Sequence, residues 1–329
     1  MPYPPELLAA RRAILRTGLP ITAGTGLEIA PLAWPTVGKD EGRIRYIDHF
    51  DTDALRRRYA GNPDVPVDRI APVDALWGAQ TLDQCLDGAR VDYIIASHVA
   101  EHVPDLLTWL GECETVLAPG GELRLVLPDR RVSSDALRRE TDIADILAAF
   151  VQRARRPQVR EVLDFFLYDA PEVDRGVLYA EGLGAAAPRP RCNMWQAVSF
   201  AMQVRDTPDH YEDVHCWAFA PRGFARMMLA LAENAMTRLA CADFTDSAPP
   251  WFEFFVFLRP TDDRAALVAS WRRMAEQARD PLPGSAEARA AERIAAMERA
   301  LQDARARIAA MENSLSWRAT KPLRALRRR

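Results

Sequence analysis

Apolar positions in this chain alternate between short continuous runs and longer stretches in which they recur every three or four residues, the two periods that separate buried strands from amphipathic helices. Residues 27–30, 44–48, 70–74, 91–97 and 122–127 read as strands. Between them, residues 4–17, 51–60, 81–89 and the stretch after Pro104 read as helices. Leu7, Leu8, Ile14 and Leu15 form the apolar face of the first, which is expected to pack against the first strand. Leu106, Leu107, Trp109, Leu110, Cys113 and Val116 form that of the helix after Pro104. Asp51 or Thr52 suits an N-cap, and Gly61-Asn62-Pro63 stops the helix that follows it. The run 91–97 is apolar almost throughout, as in a parallel sheet covered on both faces. A helix at 221–234 and strands at 238–244 and 251–258 complete the series, the last carrying the strongly β-forming Trp251-Phe-Glu-Phe-Phe-Val-Phe.

This alternation predicts an α/β fold, a doubly wound and mostly parallel sheet of seven strands whose ligands lie outside the carboxyl ends of the strands. Glu28, Asp48, Asp74, Ser97, His98 and Asp129 fall at those ends. Glu28 and Asp48 close strands twenty residues apart, the interval at which nucleotide-binding α/β folds place the acid that grips a ribose. Residues 130–220 exceed what one crossover needs and hold helical stretches near 134–153, 158–167 and 195–205.

The pattern changes after Pro260. Residues 262–278 read as a helix, Pro281-Leu-Pro-Gly284 as a break, and Ile294, Met297, Leu301, Ala304, Ile308, Met311 and Leu315 as a heptad seam. That seam predicts a coiled-coil helix and a homodimer through residues 290–315, with a helix folded back on its own body as the alternative. The expected organisation is an N-terminal helix at 1–20, a main domain at 21–260 with a helical insertion at 130–220, a helix and linker at 261–284, a coiled coil at 285–315 and a tail at 316–329.

Three segments carry a resemblance. Gly26 to Asp48, then Asp92-Tyr-Ile-Ile-Ala-Ser-His-Val-Ala-Glu-His-Val-Pro-Asp105, then Leu117-Ala-Pro-Gly-Gly-Glu-Leu-Arg-Leu-Val-Leu-Pro128 are similar to the first, fourth and fifth strand regions of class I methyltransferases, over roughly residues 20–260. The resemblance implies a Rossmann-like sheet and S-adenosyl-L-methionine as cofactor. It implies Glu28, Ala30, Asp48, Asp74, Ala75 and Ser97 as cofactor-binding residues, with Asp74 near the adenine amino group and Ala75, Leu76 and Trp77 walling the base. The insertion would form a lid or acceptor wall. One position departs from the pattern: Ala30 stands where the family usually has glycine, whose missing Cβ lets the chain pass close to the ligand.

A hydroxyl acceptor would need a base, and His98 and His215, the latter within His210-Tyr-Glu-Asp213-Val-His215, are the candidates, since an imidazole titrates near neutrality. His98-Val-Ala-Glu101-His102 also matches the His-x-x-Glu-His pattern of a zinc peptidase class. That chemistry needs the pattern inside a helix and a third ligand further along. Here it follows a strand and precedes Pro104, so no metal is expected.

Charge alters the picture at one end only. Residues 316–329 carry six cations and no acid, so removing +6 from the net −3 leaves −9 on the rest. The acidic body argues against nucleic acid, while the tail, with Trp317, Leu323 and Leu326 among its cations, suits an anionic membrane surface. That ending resembles those of glycosyltransferases and methyltransferases of bacterial surface-polysaccharide biosynthesis, which implies a sugar or glycan-intermediate acceptor. Five scattered cysteines without a Cys-x-x-Cys pair fit reduced thiols. With no signal-like start, the expected location is cytoplasmic, peripheral at the inner membrane. A methyltransferase-shaped dimeric scaffold without activity is the alternative, kept open by Ala30.

Overall fold

The computed structural model describes residues 4–78, 80–207, 210–280, 282 and 286–313. Leu315 of the heptad, the residues 316–329 of the basic tail and most of the 281–284 break lie outside the described residues.

Helix α1 (Pro5–Arg16) is followed by strands β1 (Thr25–Ile29) and β2 (Arg43–Asp48), helix α2 (Thr52–Tyr59), strand β3 (Ala75–Leu76), helix α3 (Leu82–Cys85), strand β4 (Val91–Ser97), helix α4 (Leu106–Val116) and strand β5 (Leu117–Pro128). The insertion supplies α5 (Ile143–Gln152), α6 (Val159–Tyr168), α7 (Arg175–Glu181), α8 (Leu183–Ala186) and α9 (Met194–Asp206). Helix α10 (Pro221–Glu233), strands β6 (Leu239–Thr245) and β7 (Glu253–Pro260), and helices α11 (Arg264–Gln277) and α12 (Ala286–Asn313) complete the order.

The seven strands form one sheet in the order β3-β2-β1-β4-β5-β7-β6, with β1 to β5 parallel and β7 antiparallel to both neighbours. The order reverses between β1 and β4, and a crevice opens at such a point, outside the carboxyl ends. Alternate residues of β1 and β4 face opposite layers: Leu27, Ile29, Ile94 and Ala96 enter the larger core, Tyr93 and Ile95 the smaller one. The expectation that α1 covers β1 needs adjusting. Leu15 packs in the smaller layer with Tyr46, Tyr93, Ile95, Val126 and Phe255, which come from β2, β4, β5 and β7. Gly26 has no choice of residue type, since a Cβ there would stand 2.3 Å from the Tyr93 ring.

Several elements differ from their expectation: the stretch expected to be helical at 134–153 is a 3-10 turn, Ser134–Leu137, followed by α5, and α7 and α8 were not expected. Residues 70–74 are not a strand: the third strand is the two-residue pair Ala75–Leu76, opposite Ile47 and Asp48. Ile70 is buried instead in a satellite cluster with Ala33, Leu55 and Val65. Helix α3 covers only four residues of the expected 81–89, opened by a reciprocal Thr81–Gln84 capping box. In α12 the seam residues Ile294, Met297, Leu301, Ile308 and Met311 are exposed, so this helix does not lie folded back along the body on that face.

Candidate active site

A cleft of about 1490 Å³ lies over the carboxyl ends of β1, β2 and β4. Its walls include the turn after β1, His49 and Phe50 after β2, Trp77, Ser97 to Val99, His102 to Asp105, Thr108 and Trp109. The insertion adds Phe150, Val151, Arg153 and Arg155, and Tyr211 and Asp213 follow from the segment before α10.

Ala30 and Leu32, in the turn after β1, both take left-handed backbone, with φ of 50° and 48°. A Cβ in this region costs about 1–2 kcal/mol, which is why glycine is the default there. The chain accepts the cost because the turn is pinned on both sides: the Ala30 amide donates to the Ile47 carbonyl at 2.8 Å and the Leu32 carbonyl accepts from the Ala71 amide at 2.8 Å. Both residues line the cleft and neither closes it. Ala30→Gly is therefore expected to tighten binding of S-adenosylhomocysteine. Relief of strain and the added unfolded-state entropy, about 0.4–1 kcal/mol, offset each other, so denaturant titration should show a stability change below about 1 kcal/mol. A loss of more than about 2 kcal/mol would show that the Ala30 methyl makes needed packing contacts.

Asp48 is buried at the end of β2 and lines the cleft. One of its oxygens accepts from the Phe50 amide at 3.3 Å. Burial, only partly offset by those amide hydrogen bonds, lifts its carboxyl to about 6. Ser97 lines the same space with a buried hydroxyl that has no hydrogen-bond partner among the described residues. Trp77, tilted 6.3 Å from Trp109, forms a flat wall. A buried acid, an unpaired hydroxyl and an aromatic wall around an open cleft fit an adenosyl ligand, with Asp48 on its ribose.

Three expected residues take other roles. Glu28 is at the cleft but both its oxygens accept from backbone, Thr36 at 2.7 and 3.0 Å and Val37 at 3.3 Å. Burial raises it to about 7 against those hydrogen bonds. It anchors the loop after β1 and has little capacity left for a ligand. Asp74 precedes β3 rather than ending a strand; it pairs with Lys39, accepts from the Tyr46 amide at 2.7 Å, and with Ala75 is absent from the cleft wall. Of the expected adenine wall, Trp77 alone remains, since Leu76 is half exposed and also outside the cleft.

His98 is the third. It too has left-handed backbone, φ 55°, and it lines the cleft. Nδ1 lies 3.1 Å from Glu101 Oε1 and Nε2 lies 2.7 Å from Glu253 Oε2. Burial alone would lower its pKa, but the two carboxylates overcome that and raise it to about 9. A cation with both nitrogens donating has no lone pair to take a proton, so the geometry removes His98 from the base role. Glu253 also receives Arg11 through two hydrogen bonds of 2.8 and 2.6 Å.

His215 is different. Its Nδ1 sits 2.7 Å from Asp135 Oδ2, and Asp135 is itself buried against Arg138 at 2.8 Å. Burial would raise the Asp135 carboxyl, yet His215 and Arg138 hold it well below the usual range. The Asp135 contact occupies Nδ1, so Nε2 is the ring nitrogen it leaves open. His102, on the cleft wall, stands 4.7 Å from His215 with the rings nearly perpendicular, and its Nδ1 is 2.9 Å from Asp213 Oδ1. His210 pairs with Glu212 at 2.9 Å. Sequence reasoning missed Tyr211, stacked on His49 at 4.2 Å, and Phe252, both on the cleft wall, together with Glu253 and Asp135, which lie outside that wall and hold His98 and His215. Only Glu253 carried a signal, as the one acid inside an aromatic strand.

Residues 22–125 match the protein family described as a methyltransferase domain. That segment runs from just before β1 into β5 and contains Asp48, Trp77, Ser97 and the Glu101-His102 pair. That segment is thus a methyltransferase domain, and S-adenosylmethionine is its cofactor. No curated protein matches the chain. Among solved structures it is similar to the CcbJ methyltransferase of Streptomyces caelestis, at 12% identity over 79% of this chain and 97% of that one, with a TM-score of 0.39. It is similar also to DhpI in its SAH complex, at 15% identity over 77% and 85%, TM-score 0.36. For the mitomycin 7-O-methyltransferase MmcR the values are 10%, 77%, 54% and 0.36. At this distance such likenesses carry no residue-level argument.

Proposed function

We propose that the chain methylates a hydroxyl of a sugar or of a lipid-linked glycan intermediate, in the cytoplasm at the inner face of a membrane. The observation that carries this reading is the size of the cleft together with the cations in its wall. At about 1490 Å³ it exceeds the roughly 300–1,000 Å³ typical of a site for one small ligand, so a cofactor at Asp48 leaves room for an acceptor. The acceptor half is bounded by Arg153 and Arg155 of the insertion, cations suited to a phosphate-linked sugar, and by the His102 wall above Glu101 and His215.

The cofactor supplies a methyl group on a positively charged sulfur. The protein has to hold the acceptor oxygen in line and help its proton leave. Arg153 and Arg155 would orient the acceptor through its phosphate, and the Glu101–His102–His215 cluster would act on its hydroxyl. We also propose that the exposed seam of α12 pairs with a second copy through residues 290–315, and that the tail beyond it meets anionic lipid. Among the described residues no helix is long and apolar enough to cross a membrane.

The test incubates the full chain with methyl-labelled S-adenosylmethionine and a panel of nucleotide-linked and polyprenyl-diphosphate-linked sugars. The expected product is one ether-linked methyl group on a sugar oxygen, by mass spectrometry. Transfer to amines alone, with no sugar modified, would overturn the reading.

A further inference from the structure

We infer that Glu101, His102 and His215 form a binding site for one divalent transition-metal ion beneath the cleft. Each offers one ligand atom, and the three atoms lie within 4.8 Å of one another. Atoms bound at about 2.0–2.2 Å to one ion sit about 3–4 Å apart. The cluster is therefore near ligation geometry and needs only a small contraction, which the partly exposed His102 side chain can supply.

Glu101 is 1% exposed and only one of its oxygens is used: Oε1 meets His98, while Oε2 has no hydrogen-bond partner among the described residues. A buried, unpaired carboxylate oxygen is costly, and native proteins rarely leave one without a proton or a cation. The two imidazoles beside it make no hydrogen bond to it. Each has a carboxylate behind its Nδ1 instead, Asp135 at 2.7 Å from His215 and Asp213 at 2.9 Å from His102. A carboxylate on the far nitrogen is the arrangement that orients metal-ligating histidines and fixes their tautomer. At His215 this leaves Nε2 for a third party; at His102 the Asp213 contact is an ion pair without hydrogen-bond geometry, and its buried Nδ1 has no hydrogen-bond partner among the described residues.

Two imidazole nitrogens and one carboxylate oxygen select zinc, iron, cobalt or manganese rather than calcium or magnesium, which take oxygen ligands. The His-x-x-Glu-His pattern thus reappears with a different assignment. Its first histidine turns away to Glu253, its glutamate becomes a ligand, and the missing third ligand comes from His215, over a hundred residues later. Glu101 and His102 sit on a short turn of 3-10 helix, Ala100–His102, that the sequence read only as a loop.

Where the methyl-transfer reading holds, the ion would act as a Lewis acid on the acceptor hydroxyl, lowering its pKa as bound metals do for water, from about 15.7 to about 7. His215 would then be a ligand and not the proton acceptor, since one Nε2 lone pair serves one role. The site itself does not depend on that reading.

The test uses the full chain, stripped with chelator and titrated with Co2+ alone, followed by visible d–d absorption and calorimetry. One equivalent is expected to bind with new visible bands. His215→Gln and His102→Gln should each weaken it at least 100-fold, and His210→Gln, outside the cluster, should not. Melting curves without metal verify that each variant folds, and the Co2+-induced rise in Tm should vanish in either ligand variant. If His215→Gln does not fold, His102→Gln carries the test. Absence of bands at millimolar Co2+, or unchanged affinity in the folded ligand variants, would overturn the proposal. S-adenosylhomocysteine calorimetry on the stripped protein separates this failure from a failure of the cofactor site.

Discussion

Asp48→Ala is expected to weaken S-adenosylhomocysteine binding by at least about 100-fold. A ribose presents two neighbouring hydroxyls, and hydrogen bonds to a charged acceptor contribute about 1.5–3 kcal/mol each, so losing both is worth roughly two or more powers of ten. The buried carboxylate is already desolvated, which removes part of the cost of meeting a ligand. The charge also sets a pH dependence. The carboxyl is raised by burial to about 6 in the free protein, and the ligand's hydroxyls favour the ionised form. Affinity should hold above neutrality and fall as pH drops through 6, about tenfold weaker at pH 5 than at pH 7.5. Asp48→Asn should flatten that dependence while binding weakly throughout. A raised folded pKa also means that the ionised form opposes folding above pH 6. Asp48→Asn should therefore melt no lower than the parent at pH 7.5, the signature of a binding residue held against stability. Calorimetry at the two pH values checks the first claims, and equal affinity in Asp48→Ala would remove this acid from the cofactor site.

How much of this was legible in the sequence follows from what each feature depends on. Strand β4 was readable to the residue, because seven nearly continuous apolar positions buried on both faces leave no other local solution. β3 was not. Its neighbours Ile70 and Ala71 are buried as a strand would be, but burial in a loop cluster looks the same in sequence as burial in a sheet, and pairing begins only past Pro72. Asp48 could be anticipated because a strand end and a twenty-residue interval place it. Asp74 shared that logic and failed with the strand that was meant to present it. His98 shows the limit most clearly: its position at the end of β4 was right, and its chemistry was decided by Glu253, 155 residues away. No local pattern reports a partner at that separation. For the same reason the sequence could list Glu101, His102 and His215 without showing that they converge.

The imidazolium at His98 should make stability fall as pH rises above neutrality. Its folded pKa is raised to about 9 from 6.5 by the carboxylates of Glu101 and Glu253, against the opposing effect of burial. A raised histidine contributes its full stabilisation below the unfolded value near 6.5 and loses it as pH passes through 9. At 1.36 kcal/mol per unit, the loss between pH 6.5 and 9.5 is about 3 kcal/mol as an upper bound. Glu28 is raised to about 7, so its contribution is also lost with rising pH, but mostly below pH 7.5. The informative window is thus pH 7.5–9.5, and the informative quantity is the difference from His98→Asn, since asparagine tolerates φ 55°. Guanidinium midpoints should converge for the two proteins as pH approaches 9.5. Glu253→Ala should cost more, about 3–5 kcal/mol near neutrality, because it leaves two buried or half-buried cations, His98 and Arg11, facing a hole. The three residues come from β4's end, β7 and α1, so the loss falls on the joint that fixes the cleft's floor to the N-terminal helix. Parallel pH profiles in the parent and His98→Asn would mean that the ring is neutral in the folded protein. That result would return His98 to the list of groups able to accept a proton.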